Sequence, residues 1–266
     1  MKFLALGDSF TEGVGDKDPL RPNQSRGWAD RVAEVLCARG DWQYANLAIR
    51  GKKISQVINQ QLEPGLALAP ELVSIYAGGN DILRPKVDIN SLMNGYAGMV
   101  RRFTEAGSRV LLFTGFDTAE SPLFSRTRPR TALYNELVRT IADEHAAMVA
   151  DYWRWREFSD PRLWATDRLH MNELGHTLMA RKVLGVLSDN GLVPGDWATD
   201  IGQPALPRLP ENSRGERLRE DLGWAREYLA PWVKRRLTGT SSGDLLQPKY
   251  PDYVRLGGPG AGSGAR

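Results

Sequence analysis

Four short segments of the sequence carry the residue types that an acyl-transfer reaction needs. Gly7–Gly13 (GDSFTEG) places a serine among glycines, and Gly78–Asp81 (GGND) supplies a side-chain amide. Asp167–His170 (DRLH) places an acidic residue three positions before a histidine, and Gly51 follows Asn46 at a distance of five residues. A serine hydroxyl becomes a good nucleophile when a histidine removes its proton and a carboxylate orients that histidine. Hydrogen-bond donors must also face the oxyanion of the tetrahedral intermediate.

The candidate base can be chosen from only three histidines. His145 falls within a predicted helix, and His176 follows Gly175 near the start of another, where a capping or core role is the simpler interpretation. His170 alone has an acidic residue, Asp167, three positions before it in a loop-like context. That spacing can fold the carboxylate back onto the imidazole when both residues share one turn, which favours His170 as the base.

Ser9 allows a second interpretation. Its segment begins like the Gly-x-Ser-x-Gly nucleophile elbow, but Thr11 stands where that pattern needs its second glycine, so the α/β-hydrolase pattern fails. A serine directly after a strand can also be a helix N-cap, with Glu12 as its reciprocal capping-box partner. Asn80 and Gly51, taken singly, are more typical of turns.

A metal centre and a nucleotide site are the competing kinds of site. The side chains that could converge as metal ligands are Asp8, Asp81, Asp167 and His170. Histidines are few, and such a site would leave Ser9 and Asn80 without a role, so we expect no metal. Gly13–Gly15 lacks the later glycine and the Gly-Lys-Ser/Thr tail of nucleotide-binding loops.

Five short apolar runs predict the strands that must position these segments. They are Lys2–Leu6, Gln43–Ala48, Leu72–Ala77, Arg109–Thr114 and Met148–Tyr152. Amphipathic patterns between them predict five helices. These cover Ser25–Arg39, Ile54–Leu66, Ile89–Glu105, Arg130–His145 and Asn172–Leu187. The alternation predicts a parallel sheet with helices on both faces, and ligands of such sheets bind beyond the carboxyl ends of the strands.

The sequence changes in character after Gly191, where a proline-rich stretch indicates a linker or wrapping loop. We expect a domain over residues 1–190, an extension with a short helix over 191–256 that packs on it, and a disordered glycine-rich tail over 257–266.

Two features of the extension bear on its partners. Leu218, Leu222 and Leu229 form one helical stripe, and Lys234–Arg236 forms a basic triplet. Acidic residues dilute the charge of that triplet, so packing of the stripe on the domain is favoured over contact with a membrane surface.

Composition restricts the class of protein. The 266-residue chain is 41% hydrophobic and 25% charged, which is ordinary for a globular protein. Its single cysteine, Cys37, excludes an intrachain disulfide, and the apolar run at the N-terminus is too short for a signal peptide, so we expect a cytoplasmic protein. The net charge is +3, and residues 1–199 hold equal numbers of acidic and basic residues, which argues against nucleic-acid binding.

Together the four segments resemble the sequence blocks of the GDSL, or SGNH, family of serine esterases and lipases. The blocks occur in the family's order within residues 1–190, which would be the SGNH hydrolase domain, and Phe10 replaces the leucine of the family name. The fold that the resemblance implies is a flavodoxin-like three-layer α/β/α sandwich around a five-stranded parallel sheet. The change of character after Gly191 adds a C-terminal extension to it.

The resemblance also implies a role for each candidate site residue. Ser9 would be the nucleophile, His170 the general base and acid, and Asp167 the residue that orients His170. The oxyanion hole would consist of the backbone N–H groups of Ser9 and Gly51 and the side-chain amide of Asn80.

The sequence therefore predicts a hydrolase that cleaves small-molecule carboxylic esters through an acyl-serine intermediate without a cofactor. An acyltransferase or thioesterase with the same apparatus, and a non-catalytic binding module on the same fold, are the alternatives. Acyl chain length, leaving group and oligomeric state have no readable signal in the sequence.

Overall fold

The computed structural model describes residues 1–84, 86–119, 124–209, 214–229, 231 and 241–257. The basic triplet at 234–236 and the predicted disordered tail beyond Gly257 lie outside the described residues, as do the side chains of Leu218 and Leu229.

One sheet of six strands forms the centre of the structure. The strands are β1 (Lys2–Gly7), β2 (Gln43–Asn46), β3 (Leu72–Tyr76), β4 (Arg109–Phe113), β5 (Met148–Ala150) and β6 (Tyr250–Val254). Their order is β5-β4-β3-β1-β2-β6, with β1 to β5 parallel and β6 antiparallel to β2. The five parallel strands follow the flavodoxin-like order, in which the connections reverse direction between β1 and β3.

The helices lie between the strands. They are α1 (Ser9–Glu12), α2 (Gly27–Arg39), α3 (Ile54–Val57), α4 (Glu63–Ala67), α5 (Gly79–Ile82), α6 (Ile89–Glu105), α7 (Arg128–Glu144), α8 (Glu173–Asp189) and α9 (Arg214–Trp224). A π-helix, Ile58–Leu62, joins α3 to α4, and a second π-helix, Ala225–Leu229, follows α9. None of the helices in the described ranges is long and apolar enough to cross a membrane.

Alternate residues of each strand enter two separate apolar cores, one on each face of the sheet. Phe3 packs in the core that holds Trp28 of α2 and Leu184 of α8. Its neighbour Leu4 packs in the core that α3, α6 and α7 close, where Tyr96 is fully buried. Two helical layers therefore cover the sheet, and the central strands β1, β3 and β4 are almost wholly apolar because both of their faces are buried.

The predicted three-layer α/β/α fold is confirmed, but the predicted count of five strands is wrong. β6 had no sequence signal, because it contains Pro251, which lacks the backbone N–H that most sheet positions need. As an edge strand β6 tolerates that proline. The helix predicted at Ile54–Leu66 exists, with the π-helix as an interruption that periodicity does not reveal.

Candidate active site

A tight turn after β1 sets the direction in which Ser9 leaves the sheet. Gly7 has a φ of 145°, and a Cβ at this position would lie 2.1 Å from the carbonyl oxygen of Tyr76, so only glycine fits. The buried side chain of Gln61, from the first π-helix, accepts a hydrogen bond from the Gly7 N–H and donates one to the Gly7 carbonyl, both at 2.9 Å. π-helical turns are frequent at functional sites, and this one supplies the residue that holds the turn.

The N-cap of α1 is Asp8 rather than Ser9. The Asp8 carboxylate accepts a hydrogen bond from the N–H of Phe10, so the capping-box interpretation of Ser9 is wrong. Glu12, the expected capping partner, is fully buried and accepts hydrogen bonds from the backbone N–H and the guanidinium of Arg50, each at 2.6 Å. This ion pair connects the helix that begins at Ser9 to the loop after β2.

The loop over residues 164–172, called here the histidine loop, brings Asp167 and His170 onto one turn. Arg168 adopts a φ of 54°, and one carboxylate oxygen of Asp167 accepts hydrogen bonds from the N–H groups of Leu169 and His170, each at 3.0 Å. The other oxygen lies 2.6 Å from Nδ1 of His170. Burial alone would raise the pKa of Asp167, but the hydrogen bonds and the charge of His170 outweigh it and lower that pKa.

The histidine loop also meets the start of α1. Nε2 of His170 lies 3.1 Å from Oγ of Ser9, although 161 positions separate the two residues in the chain. Ser9, His170 and Asp167 therefore form one chain of hydrogen-bonding contacts at the carboxyl end of β1. This is the geometry in which an imidazole can take a proton from a hydroxyl.

Asn80 lies beside this chain of contacts, on the first turn of α5. Its side-chain amide donates to the carbonyl of Lys52 at 3.1 Å and to the carboxylate of Asp8 at 3.3 Å. Asn80 and Ser9 line the same cavity. Burial raises the pKa of Asp8 to about 7, and its hydrogen bonds with Phe10 and Asn80 offset only part of that rise.

Gly51 is near this group but does not line the cavity. It has a φ of 80°, and a Cβ there would lie 1.9 Å from Oγ of Ser241. The Ser241 hydroxyl donates to the carbonyl of Arg50 at 3.1 Å, so the C-terminal region packs directly on the loop that holds Gly51. The next residue, Lys52, is the one whose carbonyl holds the Asn80 amide.

A cavity of about 120 Å³ opens beside Ser9 and His170. Aromatic and aliphatic side chains form most of its wall. Among them are Tyr76, Ile82, Phe116, Phe124, Tyr152 and Trp164. An apolar cavity next to a few polar groups is the usual form of a small-molecule site.

The other two histidines are not in the contact chain of Ser9, His170 and Asp167, although His176 contributes to the wall of the cavity. His176 is fully buried, where its Nδ1 accepts from the N–H of Trp28 at 3.1 Å and its Nε2 donates to the carbonyl of Val14 at 3.2 Å. Burial lowers the pKa of His176 to about 4, so it is a neutral core residue at neutral pH. His145 follows the last residue of α7 as its C-cap.

The four side chains considered as metal ligands make separate hydrogen-bonding contacts within the protein. Asp8 caps α1, Asp167 binds His170, and Asp81 accepts a hydrogen bond from the N–H of Ile54 at 3.0 Å. Within the described ranges no group of three or more His, Cys, Asp or Glu side chains could hold a metal ion.

Lys249 contacts the end of α1 and was not predicted from the sequence as a residue of the site. Its fully buried ammonium group donates to the carbonyls of Glu12 and Arg26 and to the carboxylate of Asp30, at 2.8 to 3.1 Å. One of these bonds ends on the last residue of α1, the helix that starts with Ser9. No local pattern could reveal a partner 237 positions away in the chain.

The fold and the site define an α/β protein with a hydroxyl, an imidazole and a carboxylate in contact at the carboxyl ends of parallel strands. The family model of the GDSL-like lipase/acylhydrolase family matches residues 5–178. The chain belongs to this family, and it is a carboxylic ester hydrolase of the GDSL type.

Individual proteins that this chain is similar to agree with that assignment. The GDSL esterase/lipase WDL1 of Oryza sativa subsp. japonica is 24% identical over 211 residues, which cover 68% of this chain and 76% of WDL1. The α/β hydrolase LAE5 from the metagenome of Lake Arreo has a TM-score of 0.60 at 21% identity, covering 72% of this chain and 96% of LAE5. A variant of the acetylxylan esterase Axe2 from Geobacillus stearothermophilus has a TM-score of 0.59 at 22% identity, covering 70% of this chain and 93% of Axe2.

Proposed function

We propose that the protein hydrolyses carboxylic esters through an acyl-Ser9 intermediate. The observation that carries this proposal is the contact chain from Asp167 through His170 to Ser9, with distances of 2.6 and 3.1 Å. The lowered pKa of Asp167 keeps its carboxylate ionised at neutral pH. An ionised carboxylate on Nδ1 favours the tautomer with its proton there, which leaves Nε2 free to accept the proton of Ser9.

Each proton then has a defined route. His170 Nε2 takes the proton of the Ser9 hydroxyl while Oγ attacks the ester carbonyl, and the tetrahedral intermediate forms. His170 returns that proton to the leaving alcohol, which departs and leaves the acyl group on Ser9. Water then enters, loses a proton to His170 and attacks the acyl-Ser9 ester, and the proton passes to Ser9 as the carboxylic acid leaves.

The oxyanion of each tetrahedral intermediate needs donors on the side opposite His170. The backbone N–H groups of Ser9 and Gly51 and the amide of Asn80 are the proposed donors. The Asn80 amide has two N–H groups, and of the bonds to Lys52 and Asp8 the one to Lys52 is shorter, at 3.1 Å. The N–H now shared with Asp8 at 3.3 Å is the one that we expect to turn to the oxyanion.

The size of the cavity beside Ser9 favours a short acyl group. Its volume is about 120 Å³, which is small beside the roughly 300–1,000 Å³ of sites for drug-sized ligands. The structurally similar Axe2 is an acetylxylan esterase, so it removes an acyl group of that size. We propose acetyl to butyryl esters of small molecules as the substrate class.

Hydrolysis of p-nitrophenyl esters from acetate to palmitate tests this proposal. We expect activity to be highest for the short esters. In Ser9→Ala and in His170→Ala kcat should fall about 10³-fold or more, and in Asn80→Ala about 10²-fold, as expected for one oxyanion donor. His145→Ala is the matched control, because it removes a histidine outside the site. Wild-type rates from folded Ser9→Ala protein would refute the assignment.

A further inference from the structure

The loop after β2 contains a turn whose central peptide unit carries one of the proposed oxyanion donors. The N–H of Lys52 donates to the carbonyl of Ile49 at 3.4 Å, which closes a turn with Arg50 and Gly51 as its two central residues. Gly51 has a φ of 80°. A positive φ at this position is typical of a type II turn, whereas a type I turn has a φ of about −90° there. The N–H of Gly51 therefore belongs to the peptide unit whose orientation distinguishes the two turn types.

The turn alone does not fix the orientation of the peptide unit between Arg50 and Gly51. Glycine adopts both signs of φ at little steric cost, so Gly51 itself permits either turn type. The C=O and the N–H of a trans peptide unit point in opposite directions. A rotation that moves the Arg50 carbonyl therefore also turns the Gly51 N–H. The direction of this proposed oxyanion donor depends on what holds the Arg50 carbonyl.

The hydroxyl of Ser241 holds that carbonyl. It donates to the carbonyl oxygen of Arg50 at 3.1 Å and accepts from the N–H of Gly243 at 3.1 Å. Because a carbonyl only accepts and an N–H only donates, these two neighbours fix the direction of the hydroxyl proton. The N–H of Arg50 donates to the buried carboxylate of Glu12 at 2.6 Å, so Arg50 is bonded on both sides.

Two glycines allow the close approach of the Ser241 segment to the turn. A Cβ on Gly51 would lie 1.9 Å from Oγ of Ser241, and a Cβ on Gly243 would lie 2.2 Å from the carbonyl oxygen of Arg50. The segment is itself ordered by two reciprocal hydrogen bonds. The N–H of Ser241 donates to the carboxylate of Asp244 at 2.7 Å, and the N–H of Asp244 donates to the carbonyl of Ser241 at 3.2 Å. The hydroxyl is therefore presented to the Arg50 carbonyl by a turn with its own internal support.

We propose that Ser241 is a positioning residue for ester hydrolysis, which orients the N–H of Gly51 as a donor of the oxyanion hole. The proposal rests on the function proposed above, in which this N–H binds the oxyanion. Within the described ranges no protein group accepts a hydrogen bond from the Gly51 N–H, so the protein does not use this donor elsewhere. The family match ends at residue 178, so Ser241 supports the site from the part of the chain beyond that match.

Hydrolysis of p-nitrophenyl acetate by Ser241→Ala tests the proposal. Ser242→Ala is the matched control, because it removes the same hydroxyl from the exposed neighbouring residue. Stoichiometric labelling with a fluorophosphonate counts the active sites, so a smaller folded fraction cannot lower kcat. We expect kcat of Ser241→Ala to fall about tenfold at unchanged KM, because an oxyanion donor acts in the transition state and here is misdirected rather than removed. Ser242→Ala should keep the wild-type values.

A boronic acid tests the oxyanion hole independently of the number of active sites. Propylboronic acid forms a tetrahedral adduct with an activated serine and so resembles the tetrahedral intermediate. Its Ki should rise about tenfold in Ser241→Ala, in step with the fall in kcat, and should not change in Ser242→Ala. A fall in kcat at unchanged Ki, or equal changes in KM and Ki, would mean that Ser241 supports the site only in general and would overturn the proposal.

The same measurements separate this proposal from the catalytic one. Hydrolysis that depends on Ser9 but has wild-type kcat and Ki in Ser241→Ala would leave the proposed esterase intact and reject only the positioning role. Hydrolysis by the wild type that does not depend on Ser9 would reject the proposed mechanism and the positioning role with it.

Discussion

At the scale of single residues, the site depends on groups that are held in place before any substrate binds. Asp167 is fixed by two backbone N–H groups and by His170, and Asp8 is fixed by the N-terminus of α1 and by Asn80. The two carboxylates differ in charge state because their surroundings differ. Contacts with His170 lower the pKa of Asp167, whereas burial raises the pKa of Asp8 to about 7.

The raised pKa of Asp8 predicts a stability change with pH. In the unfolded chain Asp8 has its ordinary pKa of 3.8, while the folded protein keeps the proton until about pH 7. The folded state therefore binds more protons between these values, so the contribution of Asp8 to stability is most favourable at low pH and declines as pH rises through that window. Asp8→Asn, which can still cap α1, should gain stability relative to the wild type across the same window.

Urea denaturation of both proteins at several pH values between 4 and 8 measures this difference. We expect the free energy of unfolding of Asp8→Asn minus that of the wild type to increase up to about pH 7 and then to level off. Carboxylates that do not interact with Asp8 titrate equally in both proteins and cancel in the subtraction, whereas the charges of Asp81 and His170 act on Asp8 and belong to its environment. A difference that stays constant from pH 4 to pH 8 would contradict the assigned environment of Asp8.

The sequence allowed some residue contacts to be predicted and not others. The three-residue spacing of Asp167 and His170 is a local feature, and the αL conformation of Arg168 turns it into a contact as expected. The contact of His170 with Ser9 joins distant parts of the chain, and only the resemblance to a family predicted it. Glu12 shows the limit of local reasoning, because a capping-box pattern was present and a buried ion pair with Arg50 formed instead.

At the scale of elements, β6 and the segment before it connect the C-terminal region to the site. β6 pairs with the edge strand β2, Ser241 packs against Gly51, and Lys249 reaches the end of α1. Two of the elements that carry proposed catalytic groups, α1 and the loop after β2, are thus in contact with residues beyond the family match. Periodicity could not show this, since α1 has four residues and β6 contains Pro251.

Lys249→Met should destabilise the protein strongly. The side chains of Lys249 and Asp30 are both fully buried, and their charged atoms lie 2.8 Å apart. Removal of the ammonium group leaves the buried Asp30 carboxylate without its counterion. The free energy of unfolding should fall by about 3–5 kcal/mol, as for other buried pairs broken on one side. Chemical denaturation measures this loss, and Lys86→Met, at an exposed lysine, is the control.

A double variant checks the cause of that loss. Asp30→Asn in the Lys249→Met background removes the unpaired charge and should recover part of the stability. If Lys249→Met unfolds as readily as the Lys86→Met control, or if the second substitution recovers nothing, the buried pair of Lys249 and Asp30 does not stabilise the packing of this segment on α2.

At the scale of the whole molecule, two cavities of unequal size share Phe116 and Trp164 as lining residues. The smaller lies beside Ser9 and is enclosed mostly by residues within the family match, while the larger is closed by α9. Phe116 and Trp164 separate the two. The alternation of strand and helix patterns predicted that β1 to β5 are parallel, and the resemblance to the family implied their flavodoxin-like order. The two cavities could not be predicted from the sequence, because their walls come from loops whose conformations depend on contacts between distant segments.

The central claim is that Ser9 is the nucleophile of an acyl-transfer reaction, and a fluorophosphonate probe tests it most directly. Such a probe reacts covalently with a serine hydroxyl that a histidine activates, so it requires no knowledge of the natural ester. Mass spectrometry of digested, probe-treated protein should find the adduct on Ser9, and folded His170→Ala protein should not be labelled. Failure of the folded wild-type protein to react, or an adduct on a different serine, would contradict the claim.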